Sequence, residues 1–281
     1  MKYRTIGTDP RTRREVSVLA LGAMLFGSVT DEKTSFAILV IATKLGARPL
    51  APGTSYVDHA EGLSAKVIRE SAERSRERLG TDRLDVLYAH IEDPKVHVRE
   101  TVEGFAALVD EGTVGVLGVS NHAVWRVERA RALAAAAGLP GYEVLQYAHS
   151  HLRPRSDVPG DLFPDGSLGH AGPDLLGYLR DEPGLTLVAY SPLLKGAYTR
   201  PERLPSDYDH PGTPARLKVL HAVARETGAT VDQVVLARQI GDALPVIPLV
   251  GVSSVAQLEE NLAAVDLELT PEQRARLDAA H

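Results

Sequence analysis

"TSFAILVIATKLGARP", residues 34–49, joins two patterns that do not belong side by side. Thr34-Ser35-Phe36-Ala37-Ile38-Leu39 begins like a helix, and Val40-Ile41-Ala42-Thr43-Lys44 reads as a buried parallel strand. No Gly, Pro, Asn or Asp separates them. A turn is expected at such a junction, and the residues that make turns are not there.

Outward from this junction, strand-like runs alternate with helical ones. The strand candidates are "VSVLALG" (16–22), "VIATKLG" (40–46), "LDVLYAH" (84–90), "VGVLGVSN" (114–121), "EVLQYA" (143–148), "LTLVAYS" (185–191) and "VIPLVG" (246–251). Alternation of this kind implies parallel strands joined by crossover helices. Helix starts are marked by Ser64, by Thr213 before Pro214, by Thr230 with Gln233, by Ser254 with Gln257 and by Thr270 before Pro271. Gly112, Gly138 and Gly228 mark helix ends. No repeat or linker divides the chain, so residues 1–281 read as one domain. Seven such strands suggest a (β/α)8-type barrel lacking one unit. No G-x-G-x-x-G or G-x-x-x-x-G-K-[ST] occurs, which argues against a Rossmann sheet or a P-loop. Residues 149–172, rich in Pro, Gly and Asp, form a long loop of the kind that serves as a lid or binding loop.

Composition narrows the function classes. A formal charge of -6 offers no basic field for nucleic acid or an anionic membrane, so a small-molecule partner is expected. The chain has no cysteine, which excludes disulfides, thiolate metal ligands and a cysteine nucleophile and fits a reducing compartment. "MKYRTIGTDPRTRRE" has no apolar signal-peptide core, and no run reaches membrane-spanning length; a soluble, cytoplasmic protein is expected. His149, His151 and Asp157 are explained more simply by a polar loop than by a metal site, and none is assigned. Arg238, inside the apolar "VVLARQI", is either a buried ion-pair partner or a snorkelling cation.

"AKVIRESAERSRERLGTDRLDVLYAH" (65–90) resembles the helix-then-strand signature of the aldo-keto reductase family, and the resemblance extends along nearly the whole chain. "LALGAMLFG" is similar to the family's first barrel strand, "VIATKLG" to its third, "GVSNH" to its fifth and "LQYAHS" to its sixth. "VAYSPLLKG" and "PLVGVSSVAQLEENLAAV" are similar to its seventh strand and to its eighth strand with the following helix. The order matches the family's. The resemblance also explains the junction. Family members pass from the helix after strand one into a second strand ending in D-T-A-x-x-Y and a second helix before strand three. This chain goes directly from the first helix to strand three, omitting one strand-helix unit of roughly 25 to 45 residues. The unit carries the family's catalytic aspartate and general-acid tyrosine.

The resemblance implies site residues one by one. Lys44 matches the catalytic lysine and His90 the catalytic histidine. Ser120 and Asn121, with Gln146, match the residues that bind the nicotinamide carboxamide. Tyr190 matches the ring that stacks on nicotinamide; Ser191, Leu193, Lys195 and Gly196 lie in the segment that wraps the pyrophosphate. Gly251, Ser253 and Ser254 sit at a helix N-terminus suited to phosphate, and Gln257, Glu260 and Asn261 share a helical face expected to grip adenosine. Tyr56, in "GTSYVDHAEG", is a candidate substitute for the missing acid, with Tyr88 a deeper alternative.

The implied function is NADPH-dependent reduction of an aldehyde or ketone, slowed by loss of the acid, with NADH not excluded. The alternatives are a repurposed scaffold performing a non-redox cyclisation, dehydration or isomerisation, or a silent cofactor-binding protein. Between Gly27 and Leu39 there is barely room for the dozen or so residues of a parallel crossover. The resulting seam is therefore expected to be covered by residues 28–39, by the 47–62 loop or, the favoured version, by a second subunit in a homo-oligomer.

Overall fold

Seven parallel strands curl into one sheet in the computed structural model, which describes residues 1–22, 41–50, 60–158 and 168–280. An antiparallel hairpin precedes them, β1 (Tyr3–Ile6) with β2 (Arg14–Ser17). The sheet contains β3 (Ala20–Leu21), β4 (Ala42–Leu45), β5 (Leu84–Ala89), β6 (Val114–Ser120), β7 (Tyr142–Ala148), β8 (Thr186–Tyr190) and β9 (Val246–Val250). Their spatial order is β3-β9-β8-β7-β6-β5-β4, so neighbours in space follow the chain except where β3 closes onto β9. Among the described residues β3 and β4 are the two edges of the sheet. By the resemblance, these two edges correspond to the family's first and third strands. The helices are α1 (Ala65–Leu79), α2 (Val98–Asp110), α3 (Val124–Ala136), α4 (Pro173–Asp181), α5 (Gly212–Thr227), α6 (Val231–Ile240), α7 (Val255–Ala263) and α8 (Pro271–Ala279).

Successive side chains on a strand point to opposite faces, and this parity builds two cores. On one face Leu87, Leu117, Leu145 and Leu187 pack under the helices with Phe105 and Leu179. On the other, Val86, Tyr88, Val116, Val144, Val188 and Ile247 fill the interior, and Ile6 of the hairpin joins them. The hairpin therefore stops the N-terminal end of the barrel. The Arg14–Asp85 ion pair (3.2 Å) and a bond from the Thr8 hydroxyl to Glu143 (2.5 Å) fasten it.

Two expectations change here. "VSVLALG" is not one strand: it divides into the end of β2 and the two-residue β3, because Val16 and Ser17 are committed to the hairpin and only Ala20 and Leu21 reach β9. The fifth helix starts at Gly212, with Thr213 inside it; the Thr213 hydroxyl donates to the Tyr208 carbonyl (2.5 Å) instead of capping. The other caps form where the spacing places them, with reciprocal boxes at Thr230–Gln233 and Thr270–Gln273. Residues 28–39, the junction before β4 and Tyr56 lie outside the described residues.

Candidate active site

The C-terminal ends of parallel barrel strands form the mouth in which barrel enzymes carry their chemistry. Parity delivers five polar side chains there. Lys44 on β4 is in register with inward-facing Tyr88, and His90 follows β5 at the next inward position. Ser120 ends β6, opposite Gln146 on β7, and Tyr190 ends β8. None of these positions is filled by a core-type residue.

The contacts form two sets, joined where Ser120 and Asn121 adjoin in the chain. Lys44 Nζ donates to Gln146 Oε1 at 2.8 Å. Since an ammonium or amine proton needs an acceptor, this contact sets the Gln146 amide with its NH₂ as the remaining donor. Ser120 Oγ donates to the Gln146 carbonyl (2.8 Å), tying β6 to β7. Asn121 Nδ2 donates to the His90 carbonyl (3.1 Å), and the single Tyr190 hydroxyl proton is shared between Asn121 Oδ1 (2.9 Å) and, at longer range, the Gly169 carbonyl (3.3 Å). The strand ends are thereby held in fixed relation.

Charge states follow from burial. His90 is pushed down to about 4 by desolvation first, then by the neighbouring Lys44 and His122, so it is a neutral imidazole at physiological pH. Lys44 is exposed at the mouth, and the protein packed beside it desolvates its ammonium in part, which lowers its proton affinity below that of an ordinary lysine. Tyr88 is 4% exposed and burial raises its pKa, which makes it a poor proton donor. The deeper alternative for the acid is thus disfavoured.

The backbone around the mouth is unusual. Asn121 (φ 57°), Ser191 (52°), Leu194 (47°) and Lys195 (55°) all adopt left-handed conformations rare for residues other than glycine. Such residues cluster at functional sites, where the surroundings hold them. The turn from Ser191 to Gly196 leaves Lys195 exposed, buries Leu194 and keeps Leu193 packed between two apolar clusters.

A nicotinamide cofactor would meet Gln146, Ser120 and Asn121 beside the half-buried Tyr190 ring, a set of amides next to a flat face that fits a carboxamide-bearing ring. Gly251 is exposed, with open space beside its backbone. The far end differs from expectation. Ser253 is bound by the Gln257 side chain, its N–H (2.8 Å) and hydroxyl (3.0 Å) both reaching Oε1, while Ser254 Oγ caps Gln257 N–H (3.2 Å). The expected capping box is displaced by one residue, and any phosphate there competes with the Gln257 amide. Gln257 is exposed and Glu260 half-buried, but Asn261 is 5% exposed and faces inward. The three do not share an open face.

Sequence reasoning missed the groups that support the mouth. His122, buried and pushed down to about 4, chiefly by desolvation, places Nδ1 2.8 Å from the Ser120 carbonyl and so carries its proton there. The Tyr147 hydroxyl donates to the His122 carbonyl (2.6 Å) and accepts from its N–H (3.2 Å). His122 lies within "GVSNH", but no local pattern announces a partner 25 residues away.

The sequence model of the aldo/keto reductase family matches residues 20–281. The chain belongs to that family. Its curated relatives include the aldo-keto reductase str7 of Strobilurus tenacellus, 31% identical over 74% of this chain and 61% of the relative. Norsolorinic acid reductase B of Dothistroma septosporum is 27% identical over 86% of this chain and 61% of that protein. An uncharacterized oxidoreductase of Bacillus subtilis is 26% identical over 97% of this chain and 93% of its own length. The chain thus spans about three fifths of the first two. The Bacillus alignment covers 326 positions, more than the 281 residues available here, so that oxidoreductase carries segments with no counterpart in this chain.

Proposed function

We propose that the protein reduces an aldehyde or ketone using NADPH, with Lys44 and His90 around the carbonyl oxygen. The observation that supports this reading is the convergence of Lys44, His90, Ser120, Gln146 and Tyr190 on the inner face of one strand-end mouth. The cofactor supplies hydride. The chain's own residues would bind the carboxamide through Gln146, Ser120 and Asn121, hold the Tyr190 ring beside it, and orient the carbonyl by a hydrogen bond from neutral His90. Ser191, Leu193, Lys195 and Gly196 would line the pyrophosphate, and Gly251, Ser253, Ser254, Gln257 and Glu260 the adenosine end. NADPH over NADH follows the family.

Without the family's tyrosine, protonation of the developing alkoxide falls to Tyr56 or to water. A positioned general acid contributes about 10² to 10⁴ in rate, so slow turnover is part of the proposal. Fluorescence titration with NADPH, followed by a panel of aldehydes and ketones, tests it. Binding with slow oxidation of NADPH is expected, further slowed in Lys44→Met and His90→Ala and, if Tyr56 is the acid, in Tyr56→Phe. Absence of binding at millimolar NADPH defeats the reading. Substrate turnover without nucleotide consumption favours the non-redox alternative.

A further inference from the structure

Lys44 is placed unlike the other lysines whose partners are described. Lys2 and Lys66 face the carboxylates of Glu268 and Glu70. Among the described residues Lys44 joins no ion pair; its contact is a neutral amide oxygen, Gln146 Oε1, at 2.8 Å. Among the described residues, the titratable groups facing it are no better able to hold an ammonium. His90 is a neutral imidazole, and Tyr88, in register with Lys44 on β5, is a buried phenol that stays protonated. The amine nevertheless opens to solvent within the mouth, where a small molecule can reach it.

We propose that Lys44 is a nucleophilic amine that forms an imine with the carbonyl carbon of a small aldehyde or ketone, giving the mouth a nucleotide-independent activity at the carbon next to that carbonyl. An amine that meets a neutral amide and no carboxylate among the described residues, beside a neutral imidazole and a phenol, is placed as Schiff-base lysines are. The lowered proton affinity of Lys44 agrees with this. In the first step the nitrogen lone pair forms the C–N bond, the carbonyl π pair moves to oxygen, and the proton lost from nitrogen is taken up there. The nitrogen lone pair then expels the hydroxyl, protonated, as water, leaving an iminium ion. The iminium withdraws electrons from the neighbouring C–H bond, whose proton exchanges with solvent before hydrolysis returns the amine and the carbonyl compound. His90, neutral and adjacent, is positioned as a hydrogen-bond donor to the departing oxygen.

The activity goes beyond carbonyl reduction and does not rest on it. The full-length chain, without nucleotide, is incubated with acetone or propanal and sodium cyanoborohydride, and its lysines are mapped by mass spectrometry. Trapping adds the probe's mass less one oxygen. Native Lys44 is expected to label at least about tenfold faster than Lys66 and Lys218, which lie on the outer surface away from the mouth. The preference should vanish in urea. Exchange of acetone's protons for deuterium should be accelerated by the wild type and lost in Lys44→Arg, which keeps the cation but cannot form the imine. Equal labelling of Lys44 and Lys66 in the native chain, or exchange undiminished in Lys44→Arg, overturns the proposal. An NADPH titration of the same sample separates the two readings: labelling without nucleotide binding defeats only the reductase, and nucleotide oxidation without labelling defeats only the imine.

Discussion

Tyr190 shows how a single hydroxyl fixes a surface. Its ring stands at the end of β8, and its one hydroxyl proton, shared between Asn121 Oδ1 and the Gly169 carbonyl, prevents it from turning. Tyr190→Phe keeps the ring and loses the shared bond, an expected stability loss of about 1 kcal/mol by denaturant unfolding. On the proposed function NADPH should still bind, weakened no more than about tenfold, since about 1.4 kcal/mol corresponds to that factor. Tyr190→Ala removes the flat face and should weaken NADPH further. Equal NADPH affinity in Tyr190→Ala and the wild type would remove Tyr190 from the cofactor site.

At the scale of elements, β5 and β6 pack through an exchange of volume. Tyr88 fills the interior only because its register partner is Gly118; a Cβ there would overlap the Tyr88 ring. Gly118→Ala is therefore expected to destabilise by about 1–3 kcal/mol, the cost of overpacking a filled core. Gly177, within α4 and with open space around it, is the matched control. Gly177→Ala should instead stabilise by about 0.5–1 kcal/mol. Urea midpoints that move in the same direction for both variants would contradict this account. These elements also mark what the sequence made legible. Strands β5 to β9 were readable because their runs are short, apolar and bounded by turn residues, whereas Lys44, His90, Gln146 and Tyr190 were singled out through the resemblance of their segments to the aldo-keto reductase family. The hairpin was not readable. Tyr3–Ile6 and Arg14–Ser17 alternate charge with apolar residues too briefly to show a period, and Ile6 becomes core only after the interior exists to receive it. The role of His122 and the inward turn of Asn261 were hidden for a related reason, since both depend on neighbours brought in by the fold.

For the whole molecule, acid should act through histidine as well as through carboxylates. His90, His122, His149 and His151 are each pushed down to about 4, with desolvation the largest cause in every case. Unfolding returns them to an ordinary value near 6.5. Between these limits the unfolded chain binds more protons than the folded one, so stability is retained above about pH 6.5 and declines as pH falls toward 4. Melting temperatures measured from pH 7.5 to 4.5 should fall, and the fall should shrink in His122→Asn. A flat profile over that range would show that these imidazoles titrate in the folded protein as they do in the unfolded chain.

The sheet's two edges carry the last consequence. A closed barrel has no edge, and strand number, tilt and shear are linked, so removing one strand cannot simply let the rest close up. Here β4 pairs with β5 on one side and β3 with β9 on one side, and neither edge bears a further strand among the described residues. Among the described residues no strand lies along the outer side of Ala42–Leu45, and an edge of that kind is the feature through which strands recruit another chain. We propose that a second copy covers this seam, with Phe36, Ile38 and Leu39 contributing apolar contact; residues 28–39 or the 47–62 loop of the same chain are the competing covers. Sedimentation velocity should give a dimer for the wild type. Phe36→Asp with Ile38→Lys should shift it to monomer and lower its melting temperature, because burying a charge at such a contact is costly. A monomer in both, with unchanged melting, would mean that the seam is repaired within one chain.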